Sequence, residues 1–197
     1  MAHPVFGRAR VTHLDRDRGF VEAARRDPQQ FDALYRRYLA QVYNYAFYEL
    51  GDHHAAEDAT ERTFLRALAN LHRFEERARP ADGDGASTFR VWLFRIARNV
   101  VANERRHRRK HPATAIESAT ELAASADVES GSVARDEAAA AWRAVSRLPA
   151  DRRRAIVLRF VEELSTAEIA GVLGRSEGAV RVLIHRALRS LGSELRQ

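Results

Sequence analysis

The chain of 197 residues contains no cysteine. Disulfide bridges and thiolate metal sites are therefore excluded, and a reducing compartment suits the protein. No apolar run approaches the length that spans a bilayer. The first twenty residues, with His3, Arg8, Arg10, His13 and Arg16 scattered through them, lack the apolar middle of a secretory signal. A soluble, cytoplasmic protein without membrane insertion is the expectation. There is no glycine-rich phosphate loop and no cluster of acids or nucleophiles in a catalytic pattern, so neither enzymatic chemistry nor a cofactor is expected. Metal is not expected either. His53, His54 and Glu57 sit at a helix start, where surface or capping roles suit them better than ligation, and the Arg-Arg-Lys between His107 and His111 repels a cation.

What the sequence has is arginine, and it is clustered. Thirty-three basic residues against twenty-seven acidic ones give a net charge of +6, a mild bias that becomes informative where it concentrates. The most organised stretch runs from Leu164 to Leu191. Ser165 and Glu168 have the spacing of a reciprocal capping box, and Ile169, Val172 and Leu173 form an apolar stripe. Gly174 stands where the backbone must turn with positive φ, and Ser176 caps a second helix. Val180, Leu183, Ile184, Ala187, Leu188 and Leu191 are spaced to face inward. The opposite face carries Glu177, Arg181, Val182, His185, Arg186 and Arg189. This pattern predicts a helix-turn-helix whose second helix enters a major groove, where arginine can fork onto guanine and a valine methyl can touch thymine.

Upstream, residues 1–26 show no sustained period and read as a loosely docked extension without assigned function. Asp27-Pro28-Gln29-Gln30 starts a helix with an inward stripe of Phe31, Leu34, Tyr35, Tyr38, Val42, Tyr45 and Ala46, ending at Gly51. Asp52 caps the next, in which Ala56, Thr60, Phe64, Ala67, Leu68 and Leu71 face inward and Glu57, Asp58 and Glu61 make the early turns acidic. Residues 75–87 are rich in glycine, proline and charge and form a loop. A third helix follows. Phe89, Trp92, Leu93, Ile96 and Val100 share its inner face, while Arg90, Arg95, Arg98, Arg105, Arg106, Arg108, Arg109 and Lys110 set eight positive charges against Glu104 alone. Such a track calls for phosphate, and aromatic side chains beside it suit stacking on unpaired bases. Residues 112–134 shift to alanine, serine and acid and read as a flexible linker. Beyond it, Ala138, Trp142, Val145 and Leu148 form a stripe ended by Pro149. A helix over 153–161, with Ile156, Val157, Phe160 and Val161 inward, floors the helix-turn-helix.

The prediction is an all-α protein of two small helical domains, 27–111 and 135–197, joined by the linker. The order of parts resembles the extracytoplasmic-function class of bacterial sigma factors. AAEDATERTFLRAL and WLFRIARN, followed by basic residues, are similar to region 2 of that family. LPADRRRAIVLRFVEELSTAEIA, Gly174 and AVRVLIHRAL are similar to region 4. The resemblance implies that Glu57, Asp58 and Glu61 face the clamp helices of the largest subunit of core RNA polymerase, with the flap as a further contact. Glu61 stands where the family has glutamine, and Arg62 where it has an acid. It implies that the loop 75–88 and Asn99 capture a base flipped from the minus-ten element, beside a melted-strand surface of Arg90, Trp92, Arg95, Arg98, Arg105, Arg106, Arg108 and Arg109. It further implies that Arg153, Arg181, Val182, His185 and Arg186 meet the minus-thirty-five duplex, with Leu183 where the family often has arginine; Ser176, Glu177 and Arg189, on the same exposed face, complete the expected duplex-binding set. An anti-sigma factor is a partner the family resemblance leaves open.

The competing expectation is a stand-alone helix-turn-helix regulator that binds duplex DNA as a dimer. That protein needs a dimer surface and a palindromic site, and it has no use for a second basic and aromatic module on a linker.

Overall fold

A computed structural model of the chain describes residues 15–79, 82–110 and 141–194, and among them every regular element is helical. The expected linker, the first fourteen residues, Ala138 and His111 lie outside the described residues. The first unit begins with α1 (Arg18–Arg26) and a 3-10 turn (Pro28–Gln30), which leads into α2 (Phe31–Leu50). It continues with α3 (His53–Asn70) and α4 (Phe89–Lys110). The second contains a helical segment over 141–147, here α5, then α6 (Ala150–Ile156), α7 (Thr166–Leu173) and α8 (Glu177–Glu194).

The punctuation residues explain these boundaries. The Asp27 carboxylate accepts from the Gln29 N–H at 3.0 Å and the Asp52 carboxylate from the Ala55 N–H at 2.6 Å, each satisfying a helix-start donor. Gly51 ends α2 at φ 72° and Gly174 ends α7 at φ 66°, left-handed conformations that glycine adopts without a Cβ clash. The Ser165 and Glu168 capping box is complete, and the Ser176 hydroxyl accepts from the Ala179 N–H at 3.2 Å to start α8.

The core of the first unit is aromatic. Tyr38, Tyr45, Phe89 and Phe94 are fully buried together with Leu34 and Leu93, and Tyr45 meets Phe94 edge-on at 5.7 Å between centroids. Several inward expectations need correction. Tyr35 and Leu68 are exposed, because they line an open groove of α2 and α3. Phe160 points to solvent and Leu158 is buried instead, because Val157–Val161 is a π-helical turn whose extra residue rotates the face by about one position. Leu188 is exposed, while Ala187 and Leu191 on the neighbouring face pack against Val145, Leu148 and Ile156. Residues 15–26 are not loosely docked: Val21 and Ala24 are buried against α2 and Asp17 is wholly enclosed.

The two units also pack on each other. α7 lies along α4, and the π-helical turn lies against α2. Tyr48 of α2 stacks on Trp142 of α5 at 3.9 Å. At the α4–α7 crossing a Cβ on Gly171 would stand 2.7 Å from Val91 Cγ1, so any side chain there would have to displace the valine.

Candidate nucleic-acid interface

The helix-turn-helix presents its recognition face freely. Val180 and Ala187 of α8 are buried, while Ser176, Glu177, Arg181, Val182, His185, Arg186 and Arg189 are all exposed. Arg181 is held by Glu177 one turn back at 3.0 Å, an exposed pair that a base edge can displace at small cost.

In the first unit, α2 and α3 form an open groove of about 730 Å³. Its floor and rim are apolar, with Phe64, Tyr35, Leu65 and Leu68, and its edge is acidic, with Glu57, Asp58 and Glu61. All three acids are exposed, as are Tyr35, Leu65 and Leu68. Arg62, set among the acids, is drawn aside by Glu104 at 3.0 Å and by Asp58 at 3.6 Å. The groove therefore joins apolar contact area to negative charge, which fits a basic, amphipathic helical partner.

The basic helix α4 is divided in a way its sequence did not reveal. Asn99, Arg106 and Arg109 are exposed, with Arg106 bonded to Asn103 at 2.8 Å on its own helix. Trp92 is half-buried, packed at tilted angles on Phe74 at 5.3 Å and Phe89 at 5.6 Å. Arg108 pairs with Asp52 at 3.1 Å and Arg105 with Glu49 at 3.1 Å. Arg90 is buried: it donates to the Glu162 carbonyl and lies 3.7 Å from Asp15 and 3.8 Å from Glu168. Arg95 donates to the Gly171 carbonyl at 2.7 Å and Arg98 to the Val172 carbonyl at 2.8 Å. Those carbonyls lie at the C-terminal end of α7, where the helix dipole attracts cations. Three expected DNA-contacting arginines of the first unit are thus bonded to the second.

Arg153 is placed in the same way from the other side. Its guanidinium reaches across to Glu49 of α2 at 3.2 Å and 3.4 Å, with Arg154 at 3.6 Å from the same carboxylate. Glu49 has no exposed side-chain surface. Burial pushes its carboxyl above the ordinary range, and Arg153 and Arg154 draw it back. Sequence periodicity could not show this cluster, because Glu49 stands among the last residues of α2 with no nearby partner in the chain.

Residues 34–111 match the family described as Sigma-70 region 2, and residues 138–191 match Sigma-70, region 4. Over 165 residues the chain is 32% identical to the ECF RNA polymerase sigma factor SigL of Mycobacterium tuberculosis, an alignment covering 84% of this chain and 88% of that protein. The chain belongs to the ECF sigma factors. It is also 36% identical over 162 residues to the ECF RNA polymerase sigma factor BldN of Streptomyces coelicolor, which covers 82% of this chain and 58% of that protein's length. Among solved structures it is similar to CnrH in complex with the cytosolic domain of CnrY, with a TM-score of 0.65, 26% identity, and coverage of 92% of this sigma factor and 98% of that chain. The RpoE of Bartonella quintana, in complex with the anti-sigma factor NepR, shares the fold at a TM-score of 0.66, with 24% identity and coverage of 85% and 98%. ECF sigma factors are promoter-specificity subunits of RNA polymerase, and no helix among the described residues is long and apolar enough to cross a membrane.

Proposed function

We propose that this ECF sigma factor binds core RNA polymerase through the acidic groove of α2 and α3, grips the minus-thirty-five duplex with α8, and traps unpaired minus-ten bases at the loop 75–88 and the exposed side of α4 near Asn99. The observation that carries this reading is the pair of exposed surfaces of opposite character on separate units, a basic groove reader and an acidic, apolar-floored cleft. The mechanism is binding without chemistry: the energy of base capture holds the promoter open, and the protein needs no catalytic site of its own. Its working place is the cytoplasm, where the polymerase is. The protein alone should bind promoter duplex weakly and start specific run-off transcription only with core polymerase. Tight, palindrome-dependent binding by the isolated protein would favour a dimeric regulator instead.

The closed packing of the two units is the resting form in this reading. Elements centred near minus ten and minus thirty-five are about 25 base pairs apart, roughly 85 Å along a duplex at 3.4 Å per base pair. Units held together by Arg98 and Val172 cannot reach both, so promoter engagement separates them and releases Arg95, Arg98 and Arg153 for phosphate. An anti-sigma factor, the kind of partner that the Bartonella quintana RpoE structure contains, is a candidate for this chain as well, one that would act on the same equilibrium.

Two substitutions test the assigned surfaces. Asp58→Arg should weaken assembly with core polymerase by about tenfold while leaving the helical content and melting temperature unchanged, because the side chain is exposed and the reversed charge repels a basic partner. Normal assembly of the variant, read by co-purification or fluorescence anisotropy, would remove Asp58 from the interface. Arg181→Ala should cost about 1–3 kcal/mol on the preferred upstream element and much less on a substituted one. The check is holoenzyme binding across single-base variants at one stated salt concentration. An unaltered preference profile would make Arg181 a phosphate contact, the role expected for Arg189 nearer the helix's far end.

A further inference from the structure

The segment before α2, to which the sequence assigned no function, grips both ends of the loop that joins α3 to α4. At the loop's entry Arg25 donates to the Leu71 carbonyl at 3.3 Å and to the Phe74 carbonyl, and its guanidinium lies over the Phe74 ring at 5.6 Å. Further along, Arg18 donates from its side chain to the Ala78 carbonyl at 3.3 Å and from its backbone N–H to the Gly85 carbonyl at 3.2 Å. At the exit the Ser87 N–H donates to the Asp15 carbonyl at 2.9 Å. The strap is itself fixed to α2. The Tyr38 hydroxyl donates to Asp17 and, at 2.6 Å, to Asp15, while Arg37 pairs with the enclosed Asp17 at 2.9 Å.

Inside the loop one carboxylate closes the circuit. A single Glu76 oxygen accepts from the N–H groups of Arg77 and Ala78, both at 2.9 Å, and from Thr88 through its N–H at 2.8 Å and its hydroxyl at 2.9 Å. Burial raises this carboxyl, but the hydrogen bonds from Ser87, Ala78 and Thr88 together hold it below the ordinary range, so it stays ionised. Thr88 stands immediately before α4. Glu76 therefore ties the loop's entry to the start of the helix that carries Asn99.

We infer that Arg18, Arg25 and Glu76 are positioning residues for minus-ten recognition: they hold residues 75–79 and 82–88 of the loop in a receiving shape before DNA arrives. The inference rests on the reading of that loop as the base-capturing element. A loop ordered in advance does not lose its conformational freedom when the extruded base enters, and that saving appears as base affinity and selectivity. None of the three residues needs to touch DNA.

The experiment uses the full holoenzyme on promoter DNA carrying 2-aminopurine at each non-template position of the minus-ten element in turn, beside a base-preference profile of that element. Arg18→Ala and Glu76→Gln should each lower the fluorescence signal of the extruded base at least tenfold at fixed protein concentration and flatten the minus-ten preference. Core polymerase affinity and minus-thirty-five preference should stay at wild-type values. Arg18→Lys, which can still reach one carbonyl, should recover part of the signal. Wild-type minus-ten profiles in both variants would overturn the inference. So would a parallel loss of polymerase assembly and melting temperature, since the strap would then be a stability element only. A wild-type holoenzyme that extrudes no base and shows no minus-ten preference would instead overturn the reading of the loop itself.

Discussion

Glu49→Ala is expected to open the two units without unfolding either. Glu49 is the carboxylate on which Arg105 of the first unit and Arg153 and Arg154 of the second converge, and its side chain has no solvent contact. Removing one partner of a buried ion cluster typically costs about 3–5 kcal/mol, because the remaining charges are left desolvated. Here the molecule has an escape that a single-core protein lacks: separation of the units returns Arg153 to water. The expected result is a larger radius of gyration by small-angle scattering and lower energy transfer between labels on α3 and α8, with helical content retained. Glu49→Gln, which keeps the size and one acceptor, should open less. If closure reduces the binding-competent fraction, opening raises apparent promoter affinity of the holoenzyme at limiting protein by the same factor. An unchanged radius of gyration in Glu49→Ala would show that the Tyr48–Trp142 stack and the α4–α7 contact hold the units by themselves.

The sequence was most informative where structure is local. Capping at Asp27, Asp52, Ser165 and Ser176 and the glycine turns at 51 and 174 are written within a few residues of where they act, and so is the exposed face of α8. Periodicity failed where the backbone departs from the α-helical repeat, as at the π-helical turn that exchanges Phe160 for Leu158. It also missed α1, because a nine-residue helix with two buried positions carries too little pattern to stand out. The larger gap was charge. Eight basic residues on one helix read as a nucleic-acid surface, yet the folded chain commits Arg105 and Arg108 to acids of its own unit and Arg90, Arg95 and Arg98 to the neighbouring unit. Partners 56 to 76 residues away in sequence leave no trace in a local window, and the carbonyls that satisfy Arg95 and Arg98 have no side-chain identity to read.

Closure should also weaken as pH rises, through Glu162. This residue follows the π-helical turn and is enclosed against the first unit, where its carbonyl accepts from Arg90 and its charge adds to the burial that raises the Tyr48 hydroxyl. Burial pushes the Glu162 carboxyl up to about 8, with Arg90 opposing the shift. Glu168 of α7 also stands 3.8 Å from Arg90 and shares its charge, and the upward direction at Glu49 acts in the same sense. In the open form Glu162 meets water and returns to the ordinary carboxylate range. Between that range and about pH 8 the closed form therefore binds a proton that the open form does not. By linkage the contribution to closure is complete below the ordinary carboxylate range, declines as pH rises, and is exhausted above about 8. Its ceiling is on the order of a few kcal/mol, since each pKa unit corresponds to about 1.4 kcal/mol. Glu162→Gln supplies a neutral side chain of the same size at every pH. Energy transfer between labelled units should fall from pH 6 to pH 9 in the wild type and stay nearly level in Glu162→Gln, with the variant the more closed of the two at pH 8. A wild-type profile that is flat over this range, or a variant that tracks it, would remove Glu162 from control of the closed form.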